Sequence, residues 1–180
     1  MSEIVGRRTL IAGDAGAGKT RLTRRLLEEA LEMGLEGVTV IDMAPGAVDV
    51  NGSPVGGTLA EADEYDVRCL GSDDIRTPRL SARTAEELLQ LAEHNMREVD
   101  GLLEAFEEEP SRTLFVNDIS IYLQRGDLER LWRALEIAET VVANGYLGDK
   151  LGEDLGTGLS RDERERMEEL ALRMDVVIRL

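Results

Sequence analysis

Apolar and polar positions follow two different patterns along this chain. Short runs of apolar and β-branched residues, such as residues 8–13 and 38–44, alternate with stretches in which apolar residues recur every three or four positions. The first pattern predicts buried strands, and the second predicts amphipathic helices. Their alternation predicts repeated βα units, and hence an α/β fold. We expect a three-layer α/β/α sandwich with a mostly parallel sheet of about five strands.

The predicted elements cover most of the sequence, and residues 1–180 are expected to form a single domain. Strands are expected at residues 8–13, 38–44, 111–118, 140–145 and 175–180, with a short extra strand near 66–70. Helices are expected at residues 18–34, 84–108, 127–139 and 160–172. Suitable N-terminal caps for the last three are Thr84 with Glu87, Asp127, and Ser160 with Glu163. The glycine- and proline-rich segment 44–57 predicts an exposed loop, and no internal repeat is apparent.

The charge and the terminal sequences narrow the choice of partners. Asp and Glu number 37 against 21 Lys and Arg, which gives a net charge of -16. A field of this sign repels a polyanion, so no nucleic-acid partner is expected. The sequence has no apolar run of about 18 residues and no secretory signal, so no membrane partner is expected. With Cys69 as its one cysteine, the chain is expected to be cytoplasmic.

The segment GDAGAGKT, residues 13–20, lies between the first predicted strand and the first predicted helix. It fits the pattern G-x-x-x-x-G-K-[ST] in the strand and helix context that this pattern requires. Small residues let successive backbone N–H groups turn inward around a phosphate, and the helix N-terminus adds unpaired donors. Lys19 supplies a cation in a chain that has only one other lysine, Lys150.

This segment resembles the Walker A motif of P-loop NTPases. The resemblance implies a P-loop NTPase fold with ATP and Mg²⁺ as ligands, and it places Lys19 at the β- and γ-phosphates as a catalytic cation. The predicted nucleotide-binding residues are Gly13, Asp14, Ala15, Gly16, Ala17, Gly18, Lys19, Thr20, Arg21 and Asn144. The run TLFVND resembles a Walker B strand, so Asp118 is predicted to hold Mg²⁺ together with Thr20. Its neighbour Asn117 is expected to face the other side of the strand and hold a loop.

Two further resemblances concern the branch of this superfamily. ATPases with an extra strand between the two Walker strands usually carry an acidic residue after the Walker B aspartate, whereas this chain has Ile119. That favours the kinase–GTPase branch. Within it, VTVIDMAPG resembles the second strand of the SIMIBI class, which makes Asp42 a catalytic candidate facing the γ-phosphate; an ordinary turn is the alternative. Asp14 stands where some members carry a dimer-bridging lysine, which argues against a nucleotide-sandwich dimer.

The base-binding residues are less defined by the sequence. Asn144 ends a predicted strand, where it could hydrogen-bond adenine while Tyr146 stacks on the base; the Asn-Gly dipeptide is equally typical of a turn. The Asn-Lys-x-Asp motif that reads guanine is missing, so ATP is the expected nucleotide. Arg76, Arg79 and Arg83 lie in a turn-rich stretch that is either a solvated loop or a lid over a transferring phosphoryl group.

These observations leave three functional hypotheses. The first is an Mg·ATP-binding P-loop NTPase that hydrolyses ATP. The second is a small-molecule kinase with the same nucleotide site, in which Asp42 accepts a proton from the acceptor and Arg76 and Arg79 form the lid. The third is a nucleotide-dependent interaction module with negligible turnover. The sequence names neither a small-molecule acceptor nor a protein partner.

Overall fold

The computed structural model describes residues 3–46, 48–50, 53–55, 58–59, 65 and 67–180. The strands in these ranges are β1 (Arg8–Gly13), β2 (Val38–Asp42), β3 (Val48–Val50), β4 (Ser53–Val55), β5 (Arg68–Gly71), β6 (Thr113–Asn117), β7 (Thr140–Tyr146) and β8 (Val176–Arg179). The helices are α1 (Lys19–Glu32), α2 (Pro78–Ser81), α3 (Ala85–Glu108), α4 (Ile119–Leu123), α5 (Leu128–Ile137) and α6 (Leu159–Arg173). The chain thus alternates strands and helices as its hydrophobic pattern predicts.

Six strands form one sheet in the order β5-β2-β6-β7-β1-β8, and every neighbouring pair is parallel. The α/β fold with a parallel sheet is therefore confirmed, and β5 is the short extra strand. Strands β3 and β4 pair antiparallel in a separate hairpin. The prediction of an exposed loop over residues 44–57 missed the strands of this hairpin. Its Val-Asp-Val and Ser-Pro-Val runs are too short to stand out against the glycines around them.

Both faces of the sheet are covered by helices, because successive side chains of a strand point to opposite faces. Leu10 and Ala12 of β1 belong to a core that includes residues of α3, α4, α5 and α6. Ile11, between them, belongs to the core on the other face, which includes residues of α1. Strands that are buried on both faces have continuous apolar runs in the sequence, and these runs made the strands predictable. This arrangement is consistent with a three-layer α/β/α sandwich.

The strand order does not meet the kinase–GTPase expectation. Strand β1, which leads into residues 13–20, pairs with β7 and β8, while β6, which leads to Asp118, pairs with β2 and β7. Strand β7 therefore lies between the two strands that carry the Walker-like segments. This strand order differs from the arrangement expected for the kinase–GTPase branch, so the inference from Ile119 does not hold for the sheet, and membership of the superfamily stays a prediction. Strand order depends on long-range pairing, which one residue after a strand does not determine.

Two of the three expected helix caps are confirmed. The Thr84 hydroxyl accepts from the Glu87 amide at 3.1 Å, and the Asp127 carboxylate accepts from the Glu129 amide at 2.9 Å. The expected Ser160 and Glu163 cap is wrong, because α6 begins at Leu159, so both residues lie inside the helix. Among the described residues, no helix is long and apolar enough to cross a membrane.

Candidate functional site

The carboxyl ends of β1, β2, β6 and β7 meet at one edge of the sheet, and residues 13–20 lie there. We call these residues the first glycine loop. It leaves β1 at Gly13, where a side chain is sterically excluded: a Cβ atom would lie 2.8 Å from the Leu180 carbonyl oxygen. The loop then enters α1 at Lys19. Its position matches the strand-to-helix connection that the sequence predicts.

Two glycines give this loop its shape. Gly16 and Gly18 have φ angles of 76° and 91°, in the left-handed region that favours glycine. The amides of Gly16, Gly18, Lys19 and Thr20 donate to no other residue in the part of the chain that the structure describes. Unpaired amides at the start of a helix attract an anion, because the helix dipole is positive at that end. The loop therefore has the backbone chemistry of a phosphate site.

The same chain contains a second loop with the same spacing, which we call the second glycine loop, residues 154–161. Residues 14–21 and 154–161 both read D-x-G-x-G-x-[ST]-R, beginning at Asp14 and Asp154. Gly156 and Gly158 have φ angles of 75° and 80°, close to those of the glycines at the matching positions of the first loop. The second loop leads into α6 as the first leads into α1. The expectation of no internal repeat is therefore wrong for these two loops, whose shared spacing is visible in the sequence.

The two loops differ in where their aspartate side chain lies. The Asp154 carboxylate folds into its own loop and accepts from the amides of Gly156 and Ser160, each at 3.0 Å. The Asp14 carboxylate instead accepts from the amides of Ala15 and Asp149, at 2.7 and 3.3 Å. The second loop thus shows that this turn binds a carboxylate. In the first loop the corresponding amides have no such internal anion, and Lys19 replaces an apolar residue.

Lys19 is the last but one residue of the first glycine loop, and its ammonium group lies against the loop backbone, as expected. Its ammonium group donates to the Asp14 carbonyl oxygen at 2.8 Å and lies 5.9 Å from the centre of the Tyr146 ring. Burial lowers the pKa of Lys19, while the carboxylates of Asp118 and Asp14 act in the opposite direction. Arg21 is exposed on the first turn of α1. A flexible cation held by one loop carbonyl can move to a phosphate without breaking a salt bridge.

Thr20 contacts Asn117, and not Asp118, in this structure. The Thr20 hydroxyl lies 3.4 Å from Asn117 Oδ1, which also accepts from Asn144 Nδ2 at 2.9 Å. The Asn117 amide nitrogen donates to Asp42 Oδ1, again at 2.9 Å. Asn117 therefore lies behind the first glycine loop and links β2, β6 and β7. The expectation that it faces away from the site is wrong, because Asn117 ends β6 in direct register with Asp42.

Asn144 is not placed to contact a nucleotide base. It is 1% exposed, and its amide nitrogen donates to Thr23 Oγ1 at 3.0 Å as well as to Asn117. Its oxygen accepts from the Asp118 amide at 3.1 Å. Both ends of the side chain are thus engaged inside the protein. The predicted adenine contact is corrected: Asn144 belongs to the buried polar network behind the loop.

Asp42 also has a structural environment that the sequence did not reveal. It is 8% exposed, and its two oxygens accept from the amides of Ala44 and Leu59, at 3.0 and 2.5 Å, in addition to Asn117. Burial raises the pKa of Asp42. With three donors on its carboxylate, Asp42 ties the segment after β2 to the sheet. The structure therefore contradicts its predicted role as a catalytic group facing a γ-phosphate.

Asp118 directly follows β6 in a conformation that is unusual for its residue type. Its φ and ψ angles are 55° and 52°, and its carboxylate accepts from the Ser120 hydroxyl at 2.7 Å. A non-glycine residue in this region costs about 1–2 kcal/mol. Burial raises the pKa of Asp118, opposed by the hydrogen bond from Ser120 and the charges of Lys19 and Arg79. The local backbone thus holds a half-buried carboxylate toward the two cations.

Arg79 joins this group, whereas Arg76 does not. The Arg79 side chain is 7% exposed, forms a buried ion pair with Glu163 of α6, and lies 5.5 Å from the centre of the Tyr146 ring. Arg76 instead pairs with Asp74 in an exposed position. Of the two arginines proposed as a lid, one is therefore buried at the site. The proline and turn residues around Arg79 are typical of an exposed loop, so the burial of its side chain was not predictable from the sequence.

Comparison with known proteins assigns neither a family nor a function to this chain. The chain matches no protein-family model, and no curated protein is significantly similar to it. In the described part of the chain, no group of three or more His, Cys, Asp or Glu side chains could hold a metal ion. The geometry of the first glycine loop and its neighbours is therefore the basis for any functional assignment.

Proposed function

We propose that this protein is a P-loop NTPase that binds Mg·ATP at the first glycine loop and cleaves the γ-phosphate, with hydrolysis as its activity. The observation that carries the proposal is the pair of similar loops. In one, the turn binds a carboxylate of its own chain; in the other, four amides are unpaired and a lysine is added. A triphosphate supplies the missing anion and the matching charge for that lysine.

The roles of the loop residues follow from their positions. The amides of Gly16, Gly18, Lys19 and Thr20 hold the β- and γ-phosphates, and the Lys19 side chain moves from the Asp14 carbonyl to the same oxygens. Charge-assisted hydrogen bonds of this kind are stronger than neutral ones, so the exchange is favourable. Asp118 lies near Lys19 and takes the place at the reacting phosphate that the sequence analysis gave to Asp42. Because Asp42 already accepts three hydrogen bonds, it positions the neighbouring segment.

The metal requirement fits the residues present. Mg²⁺ keeps several waters and is usually bound through one or two protein groups plus phosphate oxygens, so it needs no dedicated protein cage. The Thr20 hydroxyl is the protein group offered at the loop, and Asn117 orients it. This assignment differs from the sequence-based one, in which Asp118 shares the metal. When bound, Mg²⁺ would neutralise part of the charge that develops on the phosphates.

A lysine variant in the loop and an arginine variant outside it provide the test. Lys19→Ala should weaken Mg·ATP binding about 10–150-fold, the equivalent of losing a charged hydrogen bond of about 1.5–3 kcal/mol. Arg97→Ala removes the same charge from an exposed position on α3, where Arg97 pairs with Glu93, and should change the affinity about fivefold or less. Calorimetric titration with Mg·ATP measures both variants. Equal affinities for wild type and Lys19→Ala would remove Lys19 from the site.

Phosphate release then separates hydrolysis from the other hypotheses. Continuous release of inorganic phosphate from Mg·ATP supports hydrolysis, whereas a single turnover or less supports an interaction module. A small-molecule kinase remains the second candidate, and a specific feature favours it: Arg79 and Asp118 line one small cavity, together with Pro45 and Ile121.

A further inference from the structure

Asp14 places an acidic side chain next to the proposed phosphate site. Its carboxylate accepts from the amides of Ala15 and Asp149, at 2.7 and 3.3 Å, and it leaves the amides of Gly16 and Thr20 unoccupied. Carboxylates and phosphates are both anions that bind to the unpaired amides at the start of a helix. The chain therefore carries a group that can compete with a phosphate for the same donors.

The second glycine loop shows the position that this carboxylate would take. Its aspartate accepts from the amides of Gly156 and Ser160, two and six positions further along the chain, each at 3.0 Å. Because the spacing of the two loops is the same, the matching donors for Asp14 are the amides of Gly16 and Thr20. Both amides donate to no other residue in the part of the chain that the structure describes. An inward rotation of the Asp14 side chain would occupy them.

A lysine makes this inward position more favourable in the first loop than in the second. The Lys19 ammonium group donates to the Asp14 carbonyl oxygen at 2.8 Å, and it interacts with the Asp14 charge. The second loop has Leu159 at the matching position, which offers no charge. A carboxylate inside the first loop would thus gain two amides and a cation. Its outward position therefore needs contacts of its own.

Those contacts come from residues 148–150, which follow β7. The Lys150 ammonium group donates to the Ala15 carbonyl oxygen at 3.3 Å, next to the Asp149 amide that donates to the Asp14 carboxylate. Burial raises the pKa of Asp14, but the hydrogen bonds from amides and the positive charge of Lys150 outweigh burial and lower it. Lys150 is thus the cation that favours the outward position of Asp14.

We propose that Lys150 is a positioning residue that keeps the first glycine loop open to phosphate, because it holds the Asp14 carboxylate away from the amides of Gly16 and Thr20. This proposal rests on the proposed nucleotide site. When the contacts of Lys150 are lost, the Asp14 side chain rotates into its own loop, as the corresponding aspartate does in the second loop. The apparent affinity for Mg·ATP then falls in proportion to the fraction of molecules whose loop is still open.

The test is a double-mutant cycle on Lys150 and Asp14, in which Mg·ATP is titrated calorimetrically into the full chain. Lys150→Ala should weaken the binding of Mg·ATP about two- to fivefold, the equivalent of an exposed charge contact. In the Asp14→Ala background the same lysine replacement should have no effect, because the competing carboxylate is gone. Lys150→Arg keeps the charge and should bind Mg·ATP like wild type.

The control for charge alone is Arg97→Ala, which removes an exposed positive charge on α3. Any change that Arg97→Ala causes in the affinity for Mg·ATP should be equal with and without Asp14. A purely electrostatic effect of Lys150 on the nucleotide would behave in the same way. A loss of affinity that depends on Asp14 therefore identifies the positioning role.

Amide proton NMR signals provide a readout that needs no nucleotide. In ligand-free Lys150→Ala, a carboxylate bound to the amides of Gly16 and Thr20 should move their signals downfield relative to wild type. The double variant Asp14→Ala, Lys150→Ala should not show this movement. The corresponding amides of the second glycine loop should keep their signals in every variant, which distinguishes the movement of Asp14 from a general change in the fold.

Each failure has its own meaning. If Lys150→Ala weakens binding equally with and without Asp14, or if the signals of Gly16 and Thr20 do not move, the positioning role is overturned and the nucleotide site stands. If Mg·ATP does not bind to the wild-type protein, the proposed function is overturned and this proposal with it.

Discussion

Replacement of Asn144 by alanine distinguishes the role that the structure gives this residue from the base contact that the sequence suggested. The side chain makes three hydrogen bonds, to Thr23 Oγ1, to Asn117 Oδ1 and from the Asp118 amide. A typical internal hydrogen bond contributes about 1 kcal/mol net to stability. Three lost bonds at a buried position should therefore lower the free energy of unfolding by about 3 kcal/mol, a large part of the roughly 5–15 kcal/mol of an ordinary domain.

Urea unfolding of the wild type and of Asn144→Ala measures this loss, with the fluorescence of Trp132 as the signal. A midpoint change at unchanged slope reports a change in stability. The matched control is Asn95→Ala: Asn95 is equally buried and bonds the backbone of Arg76, but it lies away from the first glycine loop. The control should also lose stability, because two buried hydrogen bonds disappear, and it should bind nucleotide like wild type.

Ligand affinities complete the comparison. A base contact would make Asn144→Ala weaken the binding of Mg·ATP and leave that of Mg·tripolyphosphate unchanged, since tripolyphosphate has no base. The structure instead implies that any loss of affinity is the same for both ligands, because Asn144 acts through Asn117 and the Asp118 backbone. An unchanged free energy of unfolding together with a loss confined to ATP would refute this account and restore the base contact.

Three further variants probe the two loops and Asp118. Gly18→Ala should weaken Mg·ATP binding or lower the unfolding free energy by about 1–2 kcal/mol, because alanine is strained at a φ of 91°. The control is Gly152→Ala, which should do neither, because Gly152 does not have a positive φ. Asp118→Asn should reduce kcat about 10²-fold or more at unchanged affinity for Mg·ATP, and a weakened Mg²⁺ titration would instead return Asp118 to the metal. In wild type, kcat should fall as the pH falls through the raised pKa of Asp118, because the protonated acid accepts no proton. The Asp118→Asn variant should lose this pH dependence. A dependence that persists in the variant would contradict the role of Asp118 as proton acceptor. Asp154→Ala should cost about 1 kcal/mol of stability by uncapping α6, and added phosphate should stabilise this variant more than wild type; equal stabilisation would argue against the similarity of the loops.

Local patterns in the sequence were sufficient for the sheet and for the first glycine loop. The strands of a parallel sheet are buried on both faces, so their apolar runs stand out, as in Thr113–Asn117. The loop needs glycine at fixed positions and a lysine after it, and both are visible as letters. In each case neighbouring residues carry the whole signal, so no knowledge of distant contacts was needed.

The errors concern residues whose role depends on a partner far along the chain. Asp42 was interpreted from its place at a strand end, but its carboxylate is bound by the Leu59 amide and by Asn117, 75 positions away. Asn144 was assigned to a base for the same reason, although its partner Thr23 lies 121 positions away. The position of β7 between β1 and β6 is likewise a pairing over long distances. A strand end tells where a polar side chain lies, not which atoms it will meet.

The same reasoning explains why the first glycine loop keeps its amides unpaired while the second does not. Gly148 lies so close to the first loop that a Cβ atom there would come within 2.4 Å of Asp14 Cγ. Next to it, the Asp149 amide donates to the Asp14 carboxylate. These contacts, from the segment after β7, hold the Asp14 side chain outside its own loop. Asp154 has no such restraint among the described residues, so it turns inward and caps α6. The anion site at α1 therefore depends on a segment 135 positions away, close to Tyr146, and a change there would alter phosphate binding without altering the motif.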